Sequence, residues 1–272
     1  RGEIAVRVIR ACRDLQLRSV AVYSEVDADA LHVQLADEAV CIGPASASKS
    51  YLSIDAILAA AKSTGVAAVH PGYGFLSENS TFAREVETAG LIWIGPPADV
   101  IDVMGDKAAA REAAANAGVS LVPGTGILSS PEEAVAAAAE LGYPVLIKAV
   151  GGGGGRGLKR ANTPEELAGL FDMASSEALA AFGDGRVFVE CFVTQGRHVE
   201  VQILGDGENI IHLGDRDCSV QRRYQKLIEE APAPSLNENM RRDLHAAAVR
   251  FSKHIGYRSL GTVEFLVDIA RQ

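Results

Sequence analysis

Five consecutive glycines, Gly151 to Gly155, close on the apolar run Pro144-Val145-Leu146-Ile147-Lys148 and lead into Arg156 and Gly157. A short β-branched run of this kind predicts a buried strand. Its end delivers a lysine into a loop that has no side chains of its own. Glycine reaches backbone conformations closed to other residues, so such a loop can lay bare N–H groups against phosphate oxygens. Lys148 adds a compact positive charge beside it. A flexible glycine linker is the plain alternative, but a linker has no reason to start from a strand-end lysine. No G-x-x-x-x-G-K-[ST] occurs, so the loop is not a Walker A motif. It does not open a helix as the dinucleotide fingerprint does.

The 272 residues fit about two domains, and an apolar content of 48% supplies a sizeable core. No uncharged apolar run is long enough for a membrane span, and no signal-peptide core follows Arg1-Gly2-Glu3-Ile4. The net charge of −9 argues against nucleic acid as a partner. An anion site in this chain must therefore be a local basic cluster. Cys12, Cys41, Cys191 and Cys218 lack metal-ligand spacing. They are expected to be reduced thiols in or near the core of a cytoplasmic protein.

Along the chain, helix and strand signals alternate. Helices are expected over Ile4 to Leu15, Ile54 to Ala61 and Phe82 to Ala89, and strands over Val20 to Tyr23, Ala67 to Val69 and Leu91 to Ile94. This order predicts an open parallel α/β sheet over 1–105, with ligand loops His70 to Asn79 and Gly95-Pro96-Pro97 beyond its strand ends. No strand precedes the first helix, so one is expected upstream. The connecting segment 106–121 holds an Ala-rich helix that ends near Gly118. A small α/β lid over 122–193 comprises helix Pro131 to Leu141, strand Val145 to Lys148, the glycine loop, strand Leu158 to Arg160, helix Pro164 to Ala181 and strand Val187 to Phe192. Region 194–272 holds extended segments His198 to Leu204, Asn209 to Leu213 and Asp215 to Lys226. It closes with helix Glu238 to His254 and strand Thr262 to Val267.

Several polar residues interrupt apolar elements. His198 and Glu200 lie two apart on a strand and share a face. A zinc-deaminase reading of that pair fails, because no P-C-x-x-C follows. Glu264 stands among Val263, Phe265, Leu266 and Val267, and a buried carboxylate there would need a metal or a cation. Mg²⁺ with a nucleotide suits it, since that ion accepts one or two carboxylates plus phosphate oxygens. Taken singly, each feature has a plain reading: a satisfied pair at His198 and Glu200, a helix N-terminal lysine at Lys107, a solvated basic face at Arg222 to Lys226 neutralised by Glu229-Glu230.

Their joint order resembles the biotin carboxylase component of biotin-dependent carboxylases, an ATP-grasp family. The matching stretches are Arg1 to Ala5, His70-Pro71-Gly72-Tyr73-Gly74-Phe75-Leu76-Ser77-Glu78-Asn79, Met104-Gly105-Asp106-Lys107, Gly151 to Gly157, Arg197-His198-Val199-Glu200, and Asp215 to Lys226 continuing through Glu229-Glu230-Ala231-Pro232-Ala233-Pro234. Carbamoyl-phosphate-synthetase-like ligases would share the lid and glycine loop but not the His70 to Asn79 and Glu229 to Pro234 segments. A non-catalytic nucleotide-binding fragment is the other alternative.

The resemblance implies an N-terminal Rossmann-like sheet domain, an ATP-grasp lid and the start of the ATP-grasp C-terminal domain. It implies a ligase that uses ATP, Mg²⁺ (or Mn²⁺) and bicarbonate to carboxylate carrier-bound biotin, in an acyl-CoA carboxylase. Lys107, Lys148, Gly154 and Gly155 would meet the ATP phosphates. Glu190, Cys191, Phe192 and Val193 would read the adenine edge. His198 and Gln221 would lie by the nucleotide, Lys226 would hold bicarbonate or carboxyphosphate, Glu264 would ligate the metal, and Tyr73 and Gly74 would line the biotin site. Position 224 is Tyr where many members carry His, which puts a nucleotide role for Tyr224 in question. The implied partners are a biotin carboxyl carrier domain, a carboxyltransferase and further copies of the chain, in a homodimer or larger assembly. The family's second metal carboxylate, its general base and its biotin-holding Arg fall outside residues 1–272, so this stretch alone is expected to be inactive.

Overall fold

The computed structural model describes residues 2–151, 157–222, 225–234 and 236–268. The chain divides into two compact units, Arg1–Asp102 and Val103–Gln272.

In the first unit, α1 (Glu3–Asp14) turns Val6 and Ile9 inward, one stripe of the helical period. β1 (Val20–Tyr23), α2 (Leu31–Leu35) and β2 (Glu38–Cys41) follow, and β2 runs parallel to β1. α3 (Ile54–Thr64) begins where the Ser53 side chain accepts from the Ala56 amide and ends at left-handed Gly65. β3 (Ala68–Val69), α4 (Ser80–Thr88) and β4 (Ile92–Trp93) come next, with β3 parallel to β4. The expected parallel sense is present, but the described strands form two separate pairs rather than one continuous sheet. Phe82 and Trp93 meet edge to face at 5.4 Å within a core of Leu76, Val86 and Ile101. Because β3 and β4 are parallel, loop 70–79 and Gly95-Pro96-Pro97 leave the same end of that pair. α5 (Ala98–Gly105) ends this region.

The second unit continues with α6 (Lys107–Asn116), capped by Asp106, whose carboxylate accepts from the Ala108 and Ala109 amides. The helix stops before Gly118, which takes φ 68°. α7 (Pro131–Leu141), β5 (Val145–Ala149), β6 (Leu158–Ala161), α8 (Pro164–Phe182) and β7 (Val187–Cys191) form an antiparallel sheet in the order β6-β5-β7 with helices packed on it. The alternation of a strand sorts β5: Val145, Ile147 and Ala149 are fully buried, whereas Leu146 and Lys148 face the other way.

β8 (Gly196–Asp206), β9 (Ile210–Arg222), β10 (Gln225–Glu230) and β11 (Arg258–Asp268) make a four-stranded antiparallel sheet ordered β10-β9-β8-β11. Two extended segments expected from the sequence are one strand, since β9 runs through Gly214 at φ 97° with a register shift between Val201 and Ile203. α9 (Glu238–His254) packs Ala248 against Val201 and Ile203. The opposite sheet face carries Glu200, Gln202 and Glu264. Among the described residues, no helix is long and apolar enough to cross a membrane. All four cysteines are free; Cys218 is buried and Cys12 and Cys191 half-buried. Cys41 corrects the near-core expectation, because it ends β2 exposed.

Candidate active site

Two charge clusters in the second unit hold the lysines that the sequence singles out. The first gathers on the face of β5 and β7 that turns away from their shared core. Leu146 pairs with Glu190 and Lys148 with Phe188, so Lys148 and Glu190 are diagonal neighbours on one face. Lys148 Nζ donates to Glu190 Oε2 at 2.5 Å, and Glu190 is 5% exposed. Its other oxygen is taken by Arg111 of α6. Lys107, one turn before Arg111, donates from Nζ to the Ala149 carbonyl at 3.1 Å, and its amide reaches the Val150 carbonyl. Both lysines thus stand at the residues leading into the glycine loop. Burial, then the charge of Lys148, push the Lys107 ammonium below its usual range, while Glu190 partly restores it. Arg111 and the side chain of Glu190 were not singled out from the sequence. Their pairing spans 79 residues, and no local spacing signals it.

The second cluster centres on Glu200, 4% exposed. Arg216 binds its Oε1 and also donates to Gln202 Oε1 at 3.0 Å. Lys226 Nζ donates to Glu200 Oε2 at 2.5 Å and to Glu264 Oε1 at 2.6 Å. Burial works against the charge on Lys226, yet these two carboxylates hold it above the usual lysine range. Burial likewise works against charge on Glu200, and Lys226 and Arg216 hold it below its ordinary value. Glu264 corrects an expectation: its side chain is 63% exposed. Alternation along β11 turns Val263 and Phe265 to the α9 side and leaves Glu264 opposite Glu200 on the outer face. As an exposed carboxylate it still suits Mg²⁺, a hard cation that takes one carboxylate together with phosphate oxygens. The Glu200, Cys218 and Glu229 donor atoms also lie within 4.8 Å of one another. That set suits a cation poorly, because burial, then Glu200, push the Cys218 thiol up to about 11 and Glu200 already binds two cations.

The remaining candidates fall nearby or elsewhere. Gln221 sits opposite Lys226 in the β9–β10 ladder, its amide donating to the Cys218 carbonyl at 2.9 Å. The His198 side chain is exposed, and its backbone N–H donates to Ser219 Oγ at 3.0 Å. The N–H groups of Cys191 and Phe192 already donate to the carbonyls of Pro123 and Pro144, and Val193 is half-buried beside them. Gly154, Gly155 and Tyr224 lie outside the described residues. In the first unit, Tyr73 is 69% exposed and Gly74 takes φ 72° in the loop where Phe75 stacks on Tyr51 at 5.0 Å.

Comparison with known proteins fits this arrangement. A family model described as the N-terminal domain of biotin carboxylase matches residues 1–101. A second, described as the ATP-binding domain of the carbamoyl-phosphate synthase L chain, matches residues 106–272. The chain is 54% identical to the biotin carboxylase of Pseudomonas aeruginosa, covering 100% of this chain and 61% of that protein. It is 52% identical to the propionyl-CoA carboxylase alpha chain of Ruegeria pomeroyi, over 98% of this chain and 40% of that one. Among solved structures, the Campylobacter jejuni biotin carboxylase complex with β,γ-ATP superposes with a TM-score of 0.97 at 46% identity, over 100% of this chain and 61% of that one. The biotin carboxylase domain dimer of Hydrogenobacter thermophilus 2-oxoglutarate carboxylase, in complex with MgADP, ADP and bicarbonate, gives 0.94 at 48% identity, over 99% and 60%. The chain thus spans about three fifths of the length of these biotin carboxylase relatives.

Proposed function

Because the chain belongs to the biotin carboxylase family of ATP-grasp ligases, we propose that it supplies the nucleotide and bicarbonate sites for ATP-dependent carboxylation of biotin. The observation that carries this reading is the meeting of Lys107 and Lys148 at the entrance to the glycine loop of an otherwise acidic chain. Phosphoryl transfer asks little covalent help of a protein and much charge neutralisation and positioning. Lys107 and Lys148 would hold the phosphates, Gly154 and Gly155 would close over them, and the 190–193 segment would border the adenine, with His198 and Gln221 nearby. Lys226 would orient bicarbonate so that one of its oxygens attacks the γ-phosphorus as ADP leaves. The resulting carboxyphosphate would break into phosphate and CO₂, and the CO₂ would carboxylate N1 of biotin as the N1–H proton passes to the released phosphate. Glu264 would hold Mg²⁺, which neutralises phosphate charge when bound.

In this reading residues 1–105 form the biotin-side domain, with Tyr73 and Gly74 on its loop. Helix 106–121 connects to lid 122–193, which shields the mixed anhydride from water, and 194–272 begin the C-terminal domain. The biotin would arrive on a carrier domain in the cytoplasm, a carboxyltransferase would pass the carboxyl to an acyl-CoA, and the protein would pair with a second copy. The test is phosphate release by the protein that carries this sequence, with bicarbonate and biotin each added and withheld. Release that requires bicarbonate, rises with biotin and falls with Lys226→Ala supports the reading. Release indifferent to bicarbonate counts against it. Offering propionyl-CoA and pyruvate as competing acceptors tests the acyl-CoA assignment.

A further inference from the structure

The first cluster contains a cation that the nucleotide reading does not use. Arg111 lies one helical turn after Lys107 on α6 and binds one oxygen of buried Glu190, whose other oxygen holds Lys148. Its guanidinium also donates to the Val122 carbonyl at 3.0 Å and sits 5.7 Å from the Phe188 ring centroid. The packing around the pair is close. A Cβ on Gly124 would lie 2.9 Å from Glu190 Cγ and 3.2 Å from Arg111 Nη2, so residue 124 has no room for a side chain.

We propose that Arg111 is a positioning residue for the nucleotide. By occupying one oxygen of Glu190 it confines Lys148 to the other, and so leaves an ammonium that has three N–H groups with donors to offer a phosphate. Charge supports the assignment. Among these four side chains three cations, Lys107, Lys148 and Arg111, face the one Glu190 carboxylate, a net positive charge of two. Without Arg111 one remains, and both Glu190 oxygens are free for Lys148. A buried carboxylate that loses one cation is left under-compensated, so Glu190 would draw more heavily on Lys148. Both effects weaken the hold on an anion. Arg111 does not need to touch the nucleotide; it acts through Glu190.

This inference rests on the proposed nucleotide site, and titration calorimetry with ATP separates the two. The parent chain, Arg111→Met, Arg111→Lys, Glu190→Gln and Arg111→Met/Glu190→Gln are compared. Arg111→Met is expected to weaken ATP binding about tenfold or more, the scale of a charge-assisted contact. Arg111→Lys keeps the charge but loses the fork, and should weaken it less. Adding Glu190→Gln to Arg111→Met should recover most of the loss, because an amide no longer captures Lys148. A clamp that merely holds α6 to β7 would show no such recovery. Should Arg111→Met fail to fold, Arg111→Lys with and without Glu190→Gln reads the same coupling. A parent that binds no ATP overturns the nucleotide reading and this inference with it. A parent that binds while Arg111→Met binds equally, or a double variant as weak as Arg111→Met, overturns this inference alone.

Discussion

Glu200 shows how one side chain settles a neighbourhood. A carboxylate this buried is tolerable only when paired and hydrogen-bonded, and its two oxygens divide between Arg216 and Lys226. Asp215 repeats the device, accepting from the Ala233 amide, Arg241 and His245 with its side chain 1% exposed. Burial opposes ionisation of Glu200, Asp215 and Asp217, but the Lys226 and Arg216 pairs, the Ala233 amide with Arg241, and Ser219 with Arg197 hold all three below their ordinary values. A carboxylate with a depressed folded pKa stabilises above its unfolded pKa and loses that contribution as pH falls through the folded value. Urea unfolding of the second unit should therefore show a stability plateau near neutrality and a decline below about pH 4. Stability that rises on acidification would contradict the pairing. Asp215→Ala strands Arg241 and the Ala233 amide and should cost about 3–5 kcal/mol at neutral pH by the same measurement. Glu264→Gln should leave the fold intact while flattening the dependence of ATP affinity on Mg²⁺ concentration. An unchanged Mg²⁺ dependence by calorimetry would remove Glu264 from the metal assignment.

Elements were legible where local chemistry decides them. Helices α7 and α9 begin where Ser130 with Pro131, and Asn237, supply caps, and their expected bounds match the structure. β2 escaped notice because Glu38-Ala39-Val40-Cys41 is only four residues long and opens on a charge, and its strand character comes from pairing with β1. The break read at Gly214 was a bulge inside β9, which only the register with β8 reveals. Glu264 was misjudged as buried for a related reason: the strand's alternation was visible, but which face meets α9 is decided by packing. Long-range pairs such as Arg111 with Glu190 leave no periodic trace at all. The β5–β6 hairpin offers a direct check on backbone reasoning. Gly157 has φ 68°, and a Cβ there would lie 2.8 Å from Ala149 Cβ. Gly157→Val should destabilise the second unit by about 1–3 kcal/mol, read as a lowered thermal midpoint. A midpoint equal to the parent's would mean that the hairpin tolerates a side chain there.

At the scale of the whole molecule, an acidic chain gathers cations around buried carboxylates in its second unit, and the two clusters that hold the candidate lysines are each anchored by one buried glutamate. The central claim is that the Lys107 and Lys148 cluster holds nucleotide phosphates. The lowered Lys107 value gives that claim a pH signature, since a buried ammonium of depressed pKa loses its charge earlier as pH rises. Phosphate affinity should begin to fall at a pH below the ordinary lysine value of 10.5. The most direct measurement is calorimetric titration of ADP and ATP into the intact chain and into Lys107→Met/Lys148→Met, with folding checked by circular dichroism. The account predicts that the parent binds both nucleotides, ATP more tightly, and that the folded double variant loses about 100-fold or more in ATP affinity. A folded double variant that binds ATP as the parent does, or a parent that binds neither nucleotide, would contradict it.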